Sequence, residues 1–107
     1  MAIIQVSVVP LGIRTSSVGK YVARALSVLE NEKDVAYQLT PMGTIIEGNL
    51  DQVLRIVKQM HETVFDTEVQ RVLTTIIIDD RRDKTSTMDS KVNSVRSRLH
   101  AGASPAD

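Results

Sequence analysis

What most narrows the fold of this chain is the order in which its hydrophobic period changes. Residues 3 to 9 alternate at period two, with Ile4, Val6 and Val8 on one face and Ile3, Gln5, Ser7 and Val9 on the other. Pro10 and Gly12 interrupt that strand. From Ser17 the period becomes helical. Val18, Val22, Leu26 and Leu29 make one stripe, and Tyr21, Ala25 and Val28 lie beside it. After the polar stretch Asn31 to Asp34, Val35, Tyr37 and Leu39 alternate as a second strand. Pro41 and Gly43 supply turn chemistry, and Gly43 to Gly48 reads as a third. Asn49 is placed to cap a second helix with the stripe Leu50, Val53, Leu54, Val57, Met60 and Val64. A fourth strand, rich in Val, Thr and Ile, runs from Val69 to Asp79. A weaker helical stripe follows at Met88, Val92, Val95 and Leu99.

The order is therefore β-α-β-β-α-β with one added C-terminal helix. Two right-handed βαβ crossovers place both long helices on one face of a four-stranded antiparallel sheet. This predicts an α+β, ferredoxin-like sandwich: a single domain over residues 1–100, with 101–107 as a flexible tail. The helices are expected to bury Ile4, Val6, Val8, Tyr37, Ile46, Val72, Ile76 and Ile78. The other face then shows Ile3, Gln5, Ser7, Gln38, Ile45, Glu47, Leu73, Thr75 and Ile77. That mixture is too apolar to be left in water, and another subunit is the simplest cover.

Charge and composition exclude several classes. Lys plus Arg and Asp plus Glu each total 13, so the chain has no electrostatic reason to seek nucleic acid or an anionic membrane. With no cysteine, thiol catalysis and zinc-thiolate sites are ruled out. No apolar run approaches a membrane span, and Met1 to Gln5 lack the features of a signal peptide, so a cytoplasmic protein is expected.

Glu47 is the first candidate for a ligand contact, because an acid between a tight turn and a helix start needs a partner. The alternative is an ion pair with Arg71 or a neighbouring subunit. Thr44 stands three residues before it, and its hydroxyl can donate or accept a hydrogen bond. Ser16 and Ser17 precede a helix, where capping is the first reading and ligand contact the second. Met42 and Pro41 can supply apolar contact for a ligand or simply pack the turn. The cluster Asp79-Asp80-Arg81-Arg82-Asp83-Lys84 reads as ion pairs rather than a metal site. His61 and His100 have no second His at ligand spacing, so no metal is expected. No nucleophile, base and orienting partner form a recognisable set.

Val9-Pro10-Leu11-Gly12, Pro41-Met42-Gly43-Thr44-Ile45-Ile46-Glu47-Gly48, and Arg71 to Ile76 with Asp79 to Lys84 together resemble one family. It is the thiamine-binding family of small bacterial, archaeal and fungal proteins related to YkoF. The resemblance runs to about Leu99, and Thr-x-Ile-Glu-Gly is its most specific part. It implies the ferredoxin-like fold, assembly into homodimers or homotetramers, and non-catalytic binding of thiamine or its hydroxymethylpyrimidine moiety, with no cofactor. On that reading Thr44 and Glu47 orient the ligand, while Ser17, Ser16, Met42 and the Pro10 to Gly12 loop form its rim. The loop departs from the family pattern: Ile13 and Arg14 stand where a hydroxyl residue and an acid are common. A regulatory or structural module for another metabolite, or an enzyme of thiamine salvage, are the alternatives.

Overall fold

The computed structural model describes residues 1–14, 18–83 and 87–102. Its elements are β1 (Ala2–Leu11), α1 (Gly19–Glu30), β2 (Ala36–Thr40), β3 (Gly43–Gly48), α2 (Leu50–Thr63), β4 (Arg71–Asp80) and α3 (Met88–Gly102). The strands form one antiparallel sheet in the order β2-β3-β1-β4, which is the ferredoxin-like arrangement expected from the alternating periods. β3 and β1 lie at the centre: the crossover through α1 sets β2 beyond β3, and the one through α2 sets β4 beyond β1.

The core sits between the sheet and α1 and α2. Ile4, Val6 and Ile46 point into it from the sheet, and Tyr21, Ala25 and Leu29 from α1. Val53, Ile56, Val57 and Met60 enter it from α2. Each fully buried aliphatic chain contributes roughly 1.5–3 kcal/mol relative to exposure. The buried line on α1 is thus Tyr21-Ala25-Leu29, with Val22 and Leu26 only half-buried beside it. The four-residue line of larger aliphatics suggested the reverse. Helix orientation follows Tyr21, whose ring is fully buried while Lys20 and Arg24 stand 4.9 and 5.1 Å from its centroid.

Asn49 caps α2 as expected, its side-chain oxygen accepting from the Asp51 and Gln52 amides at 3.0 and 3.3 Å. The cap position of α1 is Val18, which forms no side-chain cap bond; the capping expected of Ser16 and Ser17 falls outside the described residues. β1 runs through Pro10 to Leu11 instead of stopping before it, because from Ser7 onward it pairs only with β4. A missing amide is tolerated on an unpaired flank.

Tyr37, Ile76 and Ile78 occupy the helix-facing side, as their pairing with Ile46, Val6 and Ile4 requires, yet all three are exposed. α1 and α2 cover β1 and β3, and β2 and β4 extend past that cover. Alternation predicts a face but not the width of the roof above it. The first two positions of the expected tail, 101 and 102, belong to the last turn of α3; the rest lies outside the described residues. No helix among the described residues is long and apolar enough to cross a membrane.

Candidate ligand-binding site

β1 outruns β3. Their pairing covers Ala2–Val6 against Gly48–Thr44 and then stops, because the chain turns back through Thr40-Pro41-Met42-Gly43. That turn is held by its own hydroxyl: Thr40 Oγ1 donates to the Gly43 carbonyl at 2.8 Å and accepts from the Met42 amide at 3.3 Å. The gap left beside β1 is closed above by α1. The result is a cleft of about 170 Å³ between Val8 and Val9, the first turns of α1 at Val18 and Val22, and the turn at Met42.

Thr44 forms part of its wall. The residue is 5% exposed, and its hydroxyl has no hydrogen-bonding partner among the described residues. That hydroxyl is not sealed from solvent, so a ligand in the cleft can reach it; the fully buried side-chain polar atom without a partner among the described residues is the Tyr21 hydroxyl. The backbone adds a second polar feature. A Cβ on Gly43 would stand 2.7 Å from the Val6 carbonyl oxygen, so even-numbered residues of β1 turn their N–H and C=O toward β3. Val8 carries the next such pair, and β3 does not reach it. One edge donor, one edge acceptor and one hydroxyl therefore border an otherwise apolar slot. Met42 stands almost fully exposed at its mouth. Among the described residues no Asp, Glu, His, Lys or Arg lines the cleft.

Glu47 is elsewhere. Residues three apart in a strand point to opposite faces, so Thr44 faces the helices and Glu47 the open side of the sheet. The joint contact expected of this pair is not made within one chain. Glu47 Oε2 accepts from the Met88 amide at 2.8 Å, at the start of α3, and not from Arg71. A carboxylate at a helix N-terminus satisfies an orphan amide and complements the dipole. Its cross-strand partner Ile3 borders a second hollow of about 280 Å³, with Ile45, Ile77, Met88 and Val92 also in its wall. That hollow is apolar and open, bounded by the sheet below and α3 above.

Pro10 is buried on the helix-facing side opposite Val72, two residues beyond the cleft-lining Val8. Ser16 and Ser17 lie outside the described residues, though Val18, which follows them, lines the cleft. Arg14 is exposed and borders a separate hollow with Gly12, Ile13 and Glu68. The acidic-basic cluster resolves into surface pairs. Arg82 donates to Asp80, Arg81 to Asp83, and Lys91 of α3 meets Asp79. Each arginine's guanidinium is held above its ordinary pKa, first by that hydrogen bond. Among the described residues no group of three or more acidic or imidazole side chains is placed to hold a metal.

Sequence reasoning missed two features. The backbone of Val8 was invisible because its availability depends on where β3 ends. His61 was weighed for metal spacing, but its Nδ1 lies 2.7 Å from Thr74 Oγ1, and its ring meets Phe65 edge-on at 5.3 Å. Spacing cannot show that bond, which joins α2 to β4 across the layer.

Comparison with known proteins gives one family. A model described as thiamine-binding protein matches residues 4–96. The UPF0045 protein YqgV of Bacillus subtilis is 45% identical over 102 residues, covering 92% of this chain and 98% of that one. A UPF0045 protein of Methanothermobacter thermautotrophicus is 38% identical, covering 89% and 96%. Among solved structures, a hypothetical protein of Methanocaldococcus jannaschii superposes with a TM-score of 0.80 at 37% identity, over 89% of this chain and 95% of its own. A Thermotoga maritima protein, whose name ties it to thiamine biosynthesis or salvage, gives a TM-score of 0.73 over 89% and 98%. At 20% identity that likeness shows the fold alone.

Proposed function

This chain belongs to the thiamine-binding protein family, and from that premise we propose that it binds thiamine through the hydroxymethylpyrimidine half, without catalysis, as a cytoplasmic homo-oligomer. The observation that carries this reading is the unpartnered Thr44 hydroxyl in the wall of an apolar cleft. At about 170 Å³ the cleft is smaller than the roughly 300–1,000 Å³ usual for drug-sized ligands, so it suits one ring rather than two. An aminopyrimidine is flat, apolar on its faces, and carries amine donors and ring-nitrogen acceptors on its rim. Thr44 and the backbone pair of Val8 offer matching acceptors and donors, and Met42 covers a face. Ser16 and Ser17 remain candidates for the rim beside Val18. The thiazolium, which no acidic side chain among the described residues of the cleft meets, is left toward solvent.

Non-catalytic binding is favoured by the lining itself, which contains no titratable side chain among the described residues. Glu47 serves α3 on the opposite face rather than the ligand. Calorimetry and thermal unfolding with thiamine, its phosphates and the free pyrimidine test the proposal. At about a hundred times its dissociation constant, the ligand should add roughly 2.7 kcal/mol of stability. Product analysis after long incubation should return it unchanged. Absence of stabilisation by every one of these compounds overturns the reading.

A further inference from the structure

α1 (Gly19–Glu30) begins at the end of the sheet where β1 outruns β3, so its N-terminus opens at the cleft. A helix N-terminus presents unpaired amides and the positive end of the dipole. The two long helices treat that end differently. α2 is closed by Asn49, whose side chain accepts from the Asp51 and Gln52 amides, and Asp51 is an acid in its first turn. α1 has Val18 at its cap position, no side-chain cap bond and no acid in its first turn.

The Tyr21 and Val22 amides donate to the Val18 carbonyl, both at 3.0 Å, whereas those of Gly19 and Lys20 have no partner among the described residues. Gly19 is exposed, and nothing among the described residues lies within 4 Å of where its Cβ would stand, so the approach to these amides is open. Lys20 is exposed in the same turn, with its ammonium over the Tyr21 ring and no acidic partner among the described residues. Arg24, one turn on, is by contrast paired with Asp66 at 3.1 Å.

The second observation is Thr44. It is 5% exposed, and its hydroxyl, unpartnered among the described residues, opens into the same cleft. Val18 walls that cleft, and at about 1.5 Å of rise per residue the two open amides stand within about 3 Å of it along the helix axis.

We propose that the start of α1 receives a phosphomonoester, and that the preferred occupant of the cleft is an aminopyrimidine carrying phosphate on its one-carbon arm. The proposal rests on the ring-binding reading above and names the ligand class of that same site. A cleft of about 170 Å³ holds one ring, so whatever the arm carries sits at the mouth. In thiamine the arm carries a thiazolium cation; in the phosphorylated pyrimidine it carries about two negative charges near neutral pH. With the ring held the same way, one place receives opposite charges. No acidic side chain among the described residues of the cleft offsets a cation there. Two open amides, the helix dipole and Lys20 all favour an anion.

Calorimetric titration with the pyrimidine alcohol, its monophosphate, thiamine and inorganic phosphate tests this. The monophosphate should bind about ten- to a hundredfold tighter than the alcohol, and thiamine no tighter than the alcohol. That advantage should shrink as salt rises. Gly19→Asp sets a carboxylate at the helix start, where it complements the dipole, so the free variant should melt no lower than the parent. It should lower affinity for the monophosphate about tenfold more than affinity for the alcohol. A monophosphate that binds no tighter than the alcohol, or a Gly19→Asp loss equal for the two, overturns the proposal. So does inorganic phosphate binding as tightly as the monophosphate, which sets the anion apart from the ring. In each of these cases binding of the alcohol and thiamine leaves the ring reading standing. Absence of binding by the alcohol, the monophosphate and thiamine alike removes both.

Discussion

Thr44→Val removes one hydroxyl and leaves size and β-branching almost unchanged. The hydroxyl is in a residue that is 5% exposed and has no partner among the described residues. That hydroxyl is not sealed from water, so its lack of a protein partner costs far less than the about 1–3 kcal/mol of a fully buried unpaired group. The ligand-free variant should therefore be as stable as the parent, or more stable by up to about 1 kcal/mol, a rise of up to roughly 4–8 °C in melting temperature for a domain near this size. Binding should move the other way. Loss of one neutral hydrogen bond removes about 0.5–1.5 kcal/mol, or roughly a two- to thirteen-fold rise in dissociation constant.

Opposite signs are the diagnostic. Urea unfolding at fixed protein concentration measures the first, with an unchanged m-value as the check that the native state is the same. Calorimetric titration with the free pyrimidine and with thiamine measures the second. If the variant instead loses more than about 1 kcal/mol while affinity holds, the hydroxyl has a structural role and the cleft is not the site.

On the other face, Glu47→Gln should loosen α3 while leaving binding in the Thr44 cleft unchanged. Weakening a charge-assisted cap is worth about 0.5–2 kcal/mol, so exchange of the Met88 amide should speed up about two- to thirty-fold; a fall in affinity would return Glu47 to the ligand site. Gly43→Ala places a Cβ 2.7 Å from the Val6 carbonyl oxygen at a φ of +152°, and should cost about 2 kcal/mol or more in urea unfolding. Asp66 accepts from the Val69 and Glu68 amides at 2.8 Å and from Arg24 at 3.1 Å, the Val69 bond first among the causes that lower its pKa. Its folded pKa lies below the unfolded one, so its stabilisation is complete above the ordinary carboxylate pKa and is lost as pH falls through the folded value. Melting temperature should therefore fall less steeply between neutral and acid pH in Asp66→Asn than in the parent.

Layering was legible because it depends on near-neighbour spacing. The change from period two to period 3.6 and back was enough to order the strands and helices, and Asn49 marked its own helix start. What escaped depends on register between distant segments. Only the pairing of Val6 with Thr44, followed by no further pairing, exposes the Val8 backbone and opens a cleft. Thr44 and Glu47 share one short motif, and a motif suggests shared work. Their separation by three in a strand dictates opposite faces, and a contact across 41 residues to Met88 decides what the carboxylate does. The same holds for Ile76 and Ile78: alternation gives their face, while only the span of α1 and α2 leaves them bare. A short motif in a sheet therefore supplies two half-sites, one per face, and each must be completed by chain that lies far away in sequence. For Thr44 that chain is β1 and the first turns of α1; for Glu47 it is α3.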